Sequence, residues 1–85
     1  MQHQYNDDAT NDPGPACWES DSARECAEVM QKYRVSSVPV VDAHNRLVGV
    51  ITDRDLALRI VAAGRAASTR IGEIIPRGIK YRSVV

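Results

Sequence analysis

Eighty-five residues carrying eleven basic and eleven acidic side chains make a short chain with no formal net charge. A chain of this size buries only about 60% of the surface its unfolded form exposes, so one small domain with a thin stability margin is the limit. Balanced charge argues against a general nucleic-acid or membrane-surface binder, which carries a basic excess, and no apolar run approaches bilayer length.

Met1 to Gly14 is polar and acidic with no apolar core, so it does not read as a signal peptide. Residues 1–15 are rich in Asn, Asp, Gln, Pro and Gly, with Tyr5 the only large apolar side chain, and are expected to form a disordered tail. Cys17 and Cys26 are too few for a disulfide framework and read as reduced thiols of a cytoplasmic protein. Ala16-Cys17-Trp18-Glu19 suits a short strand. Ser22-Ala23-Arg24-Glu25 then offers a capping box, and Ala23, Cys26, Ala27, Met30 and Tyr33 fall on one stripe, which predicts a helix over 22–34.

Val38 to Asp42 and Arg46 to Thr52 are β-branched-rich runs separated by Ala43-His44-Asn45, the pattern of a hairpin with a short polar loop. Both runs are apolar on both faces, so their sheet should be covered on each side. The chain's own helices can cover one side; the other needs a partner. Thr52 to Ala63 predicts a second helix, ended by Gly64. Arg59 is its only polar residue between Leu56 and Ala63, and a helix apolar nearly all round is expected to be buried on more than one side. Ser68 or Thr69 could cap a short helix reaching Ile75, stopped by Pro76. Ile79-Lys80-Tyr81-Arg82 alternates apolar and basic residues and suits a strand.

Thr52-x-x-Asp55 is the sharpest local signal. As a capping box, the threonine oxygen satisfies a free amide and the aspartate complements the positive helix end. The same geometry has a functional reading: a hydroxyl and a carboxylate at a strand-to-helix junction can hydrogen-bond the two hydroxyls of a ribose, and the helix end favours a nearby phosphate. Gly49 would let another backbone approach closely. Other chemistry is absent from the pattern. The cysteines are nine apart, and His3 and His44 fall in a tail and a turn, so no zinc spacing exists. Asp53 and Asp55, two apart on a helix, point in different directions. No phosphate loop or nucleophile elbow is visible, and catalysis is not expected. Trp18 reads as a packing residue at the sheet edge, with a stacking platform for a base as the other reading.

Ser37-Val38-Pro39-Val40-Val41-Asp42 followed by Gly49-Val50-Ile51-Thr52-Asp53-Arg54-Asp55 resembles the signature of CBS domains, and the likeness extends from about Pro15 to Pro76. The resemblance implies an α+β fold of order β-α-β-β-α, with a small mostly antiparallel sheet and two helices on one face. It also implies a non-catalytic regulatory module binding an adenine nucleotide (AMP, ADP or ATP) or another adenosyl ligand. By the same resemblance, Thr52 and Asp55 would hold the ribose, and Val38, Pro39 and the first strand around Cys17 would line the adenine. Arg54 would be a candidate phosphate contact. The family's clefts lie between two repeats packed through their sheets, and only one repeat is present here. The expected partner is therefore a second copy of the chain, as a homodimer or a dimer of dimers, with residues 16–76 as the domain and 77–85 as a tail able to exchange as a strand. The same sequence also fits a ligand-free self-association module or a fragment of a larger two-repeat protein.

Overall fold

The computed structural model of the chain describes residues 3–7 and 12–76, with backbone alone at 3–7, 12 and 13. The elements are β1 (His3–Asp7), β2 (Asp12–Trp18), α1 (Ala23–Tyr33), β3 (Ser37–Val41), β4 (Leu47–Thr52), α2 (Asp53–Leu56), a π-helical segment (Ala57–Val61) and a 3₁₀ turn (Ile71–Glu73). The strands form one sheet in the order β1-β2-β3-β4. Parallel neighbours cannot be joined by a tight turn, and α1 is the crossover between parallel β2 and β3. The other two pairings are antiparallel. From β2 onward this is the expected β-α-β-β-α arrangement.

The capping box at Ser22 forms as the sequence predicts: its hydroxyl accepts from the Glu25 N–H at 3.0 Å, and the Glu25 carboxylate accepts from the Ser22 N–H at 2.9 Å. Such caps are worth about 1 kcal/mol. The buried face of α1 is Ala23, Cys26, Val29 and Met30, while Ala27 is exposed. Alternation along the strands turns Cys17, Val38, Val40 and Ile51 toward that helix, and Ile60 closes the same cluster from the second helix. Both helices thus cover one face of the sheet.

Four expectations need correction. Residues 3–7 and 12–15 are strand rather than disordered tail. A count of apolar side chains misses this, because β1 is held to β2 through the main chain, from His3 opposite Ala16 to Asp7 opposite Asp12. Pro13 and Pro15 are two residues apart, so both lack an N–H on the same edge of the strand and leave the opposite edge intact.

The second helix is α-helical only from Asp53 to Leu56 and then widens into π turns, closed by the Ala62 N–H on the Ala57 carbonyl at 2.8 Å. Five residues are too few for side-chain periodicity to separate the two forms. Its end is as read: Gly64 lies at φ 72°, with the Arg65 N–H on the Ile60 carbonyl and the Gly64 N–H on the Val61 carbonyl. Of this helix only Ile60 is buried, and Val61 is 77% exposed, so within one chain the apolar surface is not covered on several sides.

The helix expected up to Ile75 is only the 3₁₀ turn, and neither Ser68 nor Thr69 caps it. The loop spends its main-chain groups on the β2–α1 turn instead. Ala23 and Arg24 donate to the Thr69 and Ala67 carbonyls, Ile71 donates to Asp21, and the Arg70 guanidinium donates to the Ser20 carbonyl at 2.7 Å. Among the described residues no helix is long and apolar enough to cross a membrane. The strand expected over 79–82 lies outside the described residues.

In the β3–β4 turn, Asp42 Oδ1 accepts from the His44 and Arg46 N–H groups at 2.8 and 2.9 Å, and Oδ2 meets the Arg46 guanidinium at 3.1 Å. The Arg46 amide first, and then the His44 amide and the Arg46 side chain, hold this carboxyl below its ordinary range despite some desolvation. A lowered folded-state value means the contribution is present above the unfolded value of about 4 and is lost as pH falls through the folded one. Asp42→Asn should therefore lower the melting midpoint at pH 7, with the gap to wild type closing on acidification below pH ~4. A gap independent of pH in thermal melts would contradict this.

Candidate functional site

β4 runs straight into α2, which fixes Thr52 and Asp55 at one corner of the domain. Thr52 is extended (φ −114°, ψ 165°), as a residue entering a helix from a strand must be. Its hydroxyl oxygen accepts from the Asp55 N–H at 3.0 Å, its own N–H donates to Asp55 Oδ2 at 2.9 Å, and the hydroxyl donates to the same oxygen at 2.9 Å. The capping box is complete. Asp55 Oδ1 has the Arg59 guanidinium at 3.7 Å, a half-exposed pair of modest worth. The two side chains are half-buried, so a hydroxyl and a carboxylate stand ordered at the surface with acceptor capacity left over.

The β3 side of this corner is close. Ser37 pairs with Thr52, Val38 with Ile51 and Pro39 with Val50, and the Asp53 N–H donates to the Ser36 carbonyl at 2.9 Å. Exposed Ser36 and Ser37 therefore join Thr52 and Asp55. They were missed in the sequence, where only their small size beside the Val-Pro-Val run marks them. Arg54 is exposed on the first turn of α2.

The remaining sequence-derived candidates divide by face. Pro39 is half-buried on the sheet face away from the helices, but Val38 is 1% exposed and turned into the core. Cys17 is fully buried, two strands from β4 and paired with Val40. Interaction with the Cys26 thiol first, and then burial, raise its pKa. The side chains of Val38 and Cys17 are thus closed to a ligand at this corner, and Cys17 lies away from it; strand alternation, read before the core face is known, does not tell them from Pro39.

An apolar groove of about 260 Å³ lies elsewhere, between α1 and the second helix, lined by Ala23, Ala27, Leu56, Ile60, Val61 and Ala67 with Arg24. It contains neither Thr52 nor Asp55. The sheet face away from the helices carries exposed Trp18 (43%), Leu47 (55%) and Val50 (49%).

The CBS domain family model matches residues 8–62, which takes in both central strands and the Thr52/Asp55 corner. The chain belongs to the CBS domain family. CBS domains are typically regulatory, ligand-binding modules. The chain is 40% identical over 52 residues to the CBS domain-containing protein YhcV of Bacillus subtilis, a match over 61% of this chain and 36% of that protein. It is 48% identical over 33 residues to the inosine-5'-monophosphate dehydrogenase of Aquifex aeolicus, covering 39% of this chain and 7% of that enzyme, in its CBS region. The chain thus spans about a third or less of these curated relatives.

Among solved structures, a putative signal-transduction protein with CBS domains from Burkholderia ambifaria is similar at TM-score 0.69 and 25% identity, over 75% of this chain and 47% of that one. Hypoxic Response Protein I with two coordinated zinc ions is similar at TM-score 0.68 and 25% identity, over 82% of this chain and 64% of that one. Among the described residues of the present CBS domain, no group of three or more His, Cys, Asp or Glu could hold a metal ion.

Proposed function

We propose that this CBS domain is a non-catalytic regulatory module that binds an adenine nucleotide or related adenosyl ligand at an interface between two copies of the chain. One observation carries the reading: Thr52 and Asp55 stand ordered at the β4–α2 corner, inside a family frame that is typically ligand-binding. A ribose diol matches them chemically. One hydroxyl can donate to Asp55 Oδ1, which has the Arg59 guanidinium at 3.7 Å, and the other can share the Thr52 oxygen. Arg54 beside them is an exposed cation for a phosphate. The base would lie on Pro39 and the main chain of β3.

A second copy enters the reading because the clefts of the CBS family lie between two repeats and this sequence carries one. The apolar groove between the helices contains neither Thr52 nor Asp55. The exposed Trp18, Leu47 and Val50 offer the surface for sheet-to-sheet pairing that would close the cleft. A ligand touching both copies stabilises the closed pair by its differential affinity for it.

Titration with AMP, ADP and ATP should raise the melting midpoint, since a ligand at a hundred times its Kd adds about 2.7 kcal/mol. Thr52→Ala with Asp55→Ala should abolish that rise. The cap is lost too, at about 1–2 kcal/mol, so the readout is the ligand-dependent shift of each protein measured against its own baseline. No shift in the wild type with millimolar adenosine compounds would sink the proposal.

A further inference from the structure

Asp55 commits one carboxylate oxygen to the fold and leaves the other to a cation. Oδ2 accepts from the N–H and from the hydroxyl of Thr52, each at 2.9 Å. Oδ1 faces the Arg59 guanidinium, with Nε at 3.7 Å. That is beyond hydrogen-bonding range, whereas Arg24 and Glu28, a pair of the same spacing on α1, meet at 3.2 Å with a hydrogen bond. Arg59 is the single polar residue between Leu56 and Ala63, and among the described residues its one polar contact is Asp55. We propose that Arg59 makes this corner select a phosphorylated riboside over the free nucleoside, by leaving the Asp55 carboxylate for the phosphate of the ligand. The inference rests on the ligand reading above and adds which member of the adenosyl class is taken.

Competition for Oδ1 supplies the mechanism. A ribose hydroxyl that donates to this oxygen must share it with, or take it from, the guanidinium. Side chains 47% and 21% exposed make a weak ion pair, so a well-placed hydroxyl displaces the cation at small cost. A neutral nucleoside has no use for the released charge. A nucleotide does, because its 5′-phosphate hangs from the same sugar ring as the diol. A guanidinium freed beside that diol presents a planar fork to phosphate oxygens.

The charge balance of the corner points the same way. From Thr52 to Arg59 the chain carries Asp53 and Asp55 against Arg54 and Arg59, so the two signs cancel only when both arginines count. A phosphate monoester brings a further charge of about −1.5 to −2. Arg54 alone would leave the corner acidic and repel it. Arg24 and Arg65 each face a glutamate that a ligand at Thr52 and Asp55 does not touch. Arg59 is the cation whose partner the ligand itself takes away.

Titration calorimetry of the full chain with adenosine and with AMP tests this. The wild type should bind AMP roughly tenfold or more tightly than adenosine. Arg59→Gln should weaken AMP about tenfold, the loss of a charge-assisted hydrogen bond. The same variant should bind adenosine as before or up to about fivefold more tightly, because the rival for Oδ1 is gone. A merely structural role would move both ligands in one direction. Circular dichroism of the variant should be unchanged, with a melting midpoint within about 3 °C of wild type. Arg59→Lys keeps the charge and should bind AMP better than Arg59→Gln does. Equal affinity of the wild type for the two compounds, parallel losses of both in Arg59→Gln, or a lysine variant no better than the glutamine one would overturn the proposal and leave the ligand reading in place. Binding of neither compound by the wild type would overturn both. If the glutamine variant does not fold, the wild-type preference alone decides.

Discussion

Ile51→Ala should cost this domain a large share of its stability, up to the whole of it. Ile51 is 0% exposed, faces the helices from β4, and pairs across the hairpin with Val38, itself 1% exposed. Removing the outer carbons of a fully buried isoleucine costs about 2–5 kcal/mol, the transfer of the lost methylenes plus the cavity left behind. At about 0.05–0.15 kcal/mol per residue, a domain of this size holds only roughly 3–10 kcal/mol in reserve. The site has little freedom to collapse, because its neighbours Val40, Cys17 and Val29 are themselves fully buried on separate elements. Urea unfolding followed by far-ultraviolet circular dichroism reads the result. With a slope near 1 kcal/mol per molar, the midpoint should fall by roughly 2 M or more, or the chain should be unfolded in buffer. A midpoint within 0.5 M of wild type would mean that β4 is not packed as described.

That expectation rests on a face assignment only half legible in the sequence. The β-branched runs either side of Ala43-His44-Asn45 announce the hairpin, and Ser22 with Glu25 announces the start of α1, because both signals are local and reported by neighbouring residues. The Thr52/Asp55 corner is legible for the same reason. What a run such as Val38-Pro39-Val40-Val41 cannot say is which face meets the helices, since every position is apolar; the answer depends on where α1 crosses over. Hence Val38 and Cys17, candidates for a ligand wall, turn out to belong to the interior. Composition failed for β1, where Gln4, Asn6 and their neighbours join a sheet through main-chain groups. It failed also after Gly64, where carbonyls of Ala67 and Thr69 serve α1 instead of building a helix of their own. In the last two misses the deciding interaction runs through the backbone, which side-chain patterns do not encode.

Val50→Asp, one residue away from Ile51, should leave the fold intact and break self-association. Successive strand residues point to opposite faces, and Val50 is 49% exposed where Ile51 is sealed. With Trp18 and Leu47 it lies on the side of the sheet away from the described helices. Burying one such side chain fully is worth about 1.5–3 kcal/mol, and a symmetric contact counts every residue twice. Part of that gain offsets the lost freedom of two bodies, so the pair is expected to be of moderate affinity, with a melting midpoint that climbs with protein concentration. An aspartate at this position puts two like charges into the contact, with no counter-ion assigned to them. Leaving a charge unpaired in an interface costs several kcal/mol, enough to weaken association at least a hundredfold. Sedimentation equilibrium should therefore find dimers or larger species for the wild type and monomers for the variant. Circular dichroism should be unchanged, and the variant's melting midpoint should no longer depend on concentration. Ligand-induced stabilisation should fall with it, because the cleft needs both copies. A wild type that stays monomeric at several hundred micromolar, or a variant that associates as before, would remove the sheet face from the assembly and the shared cleft with it.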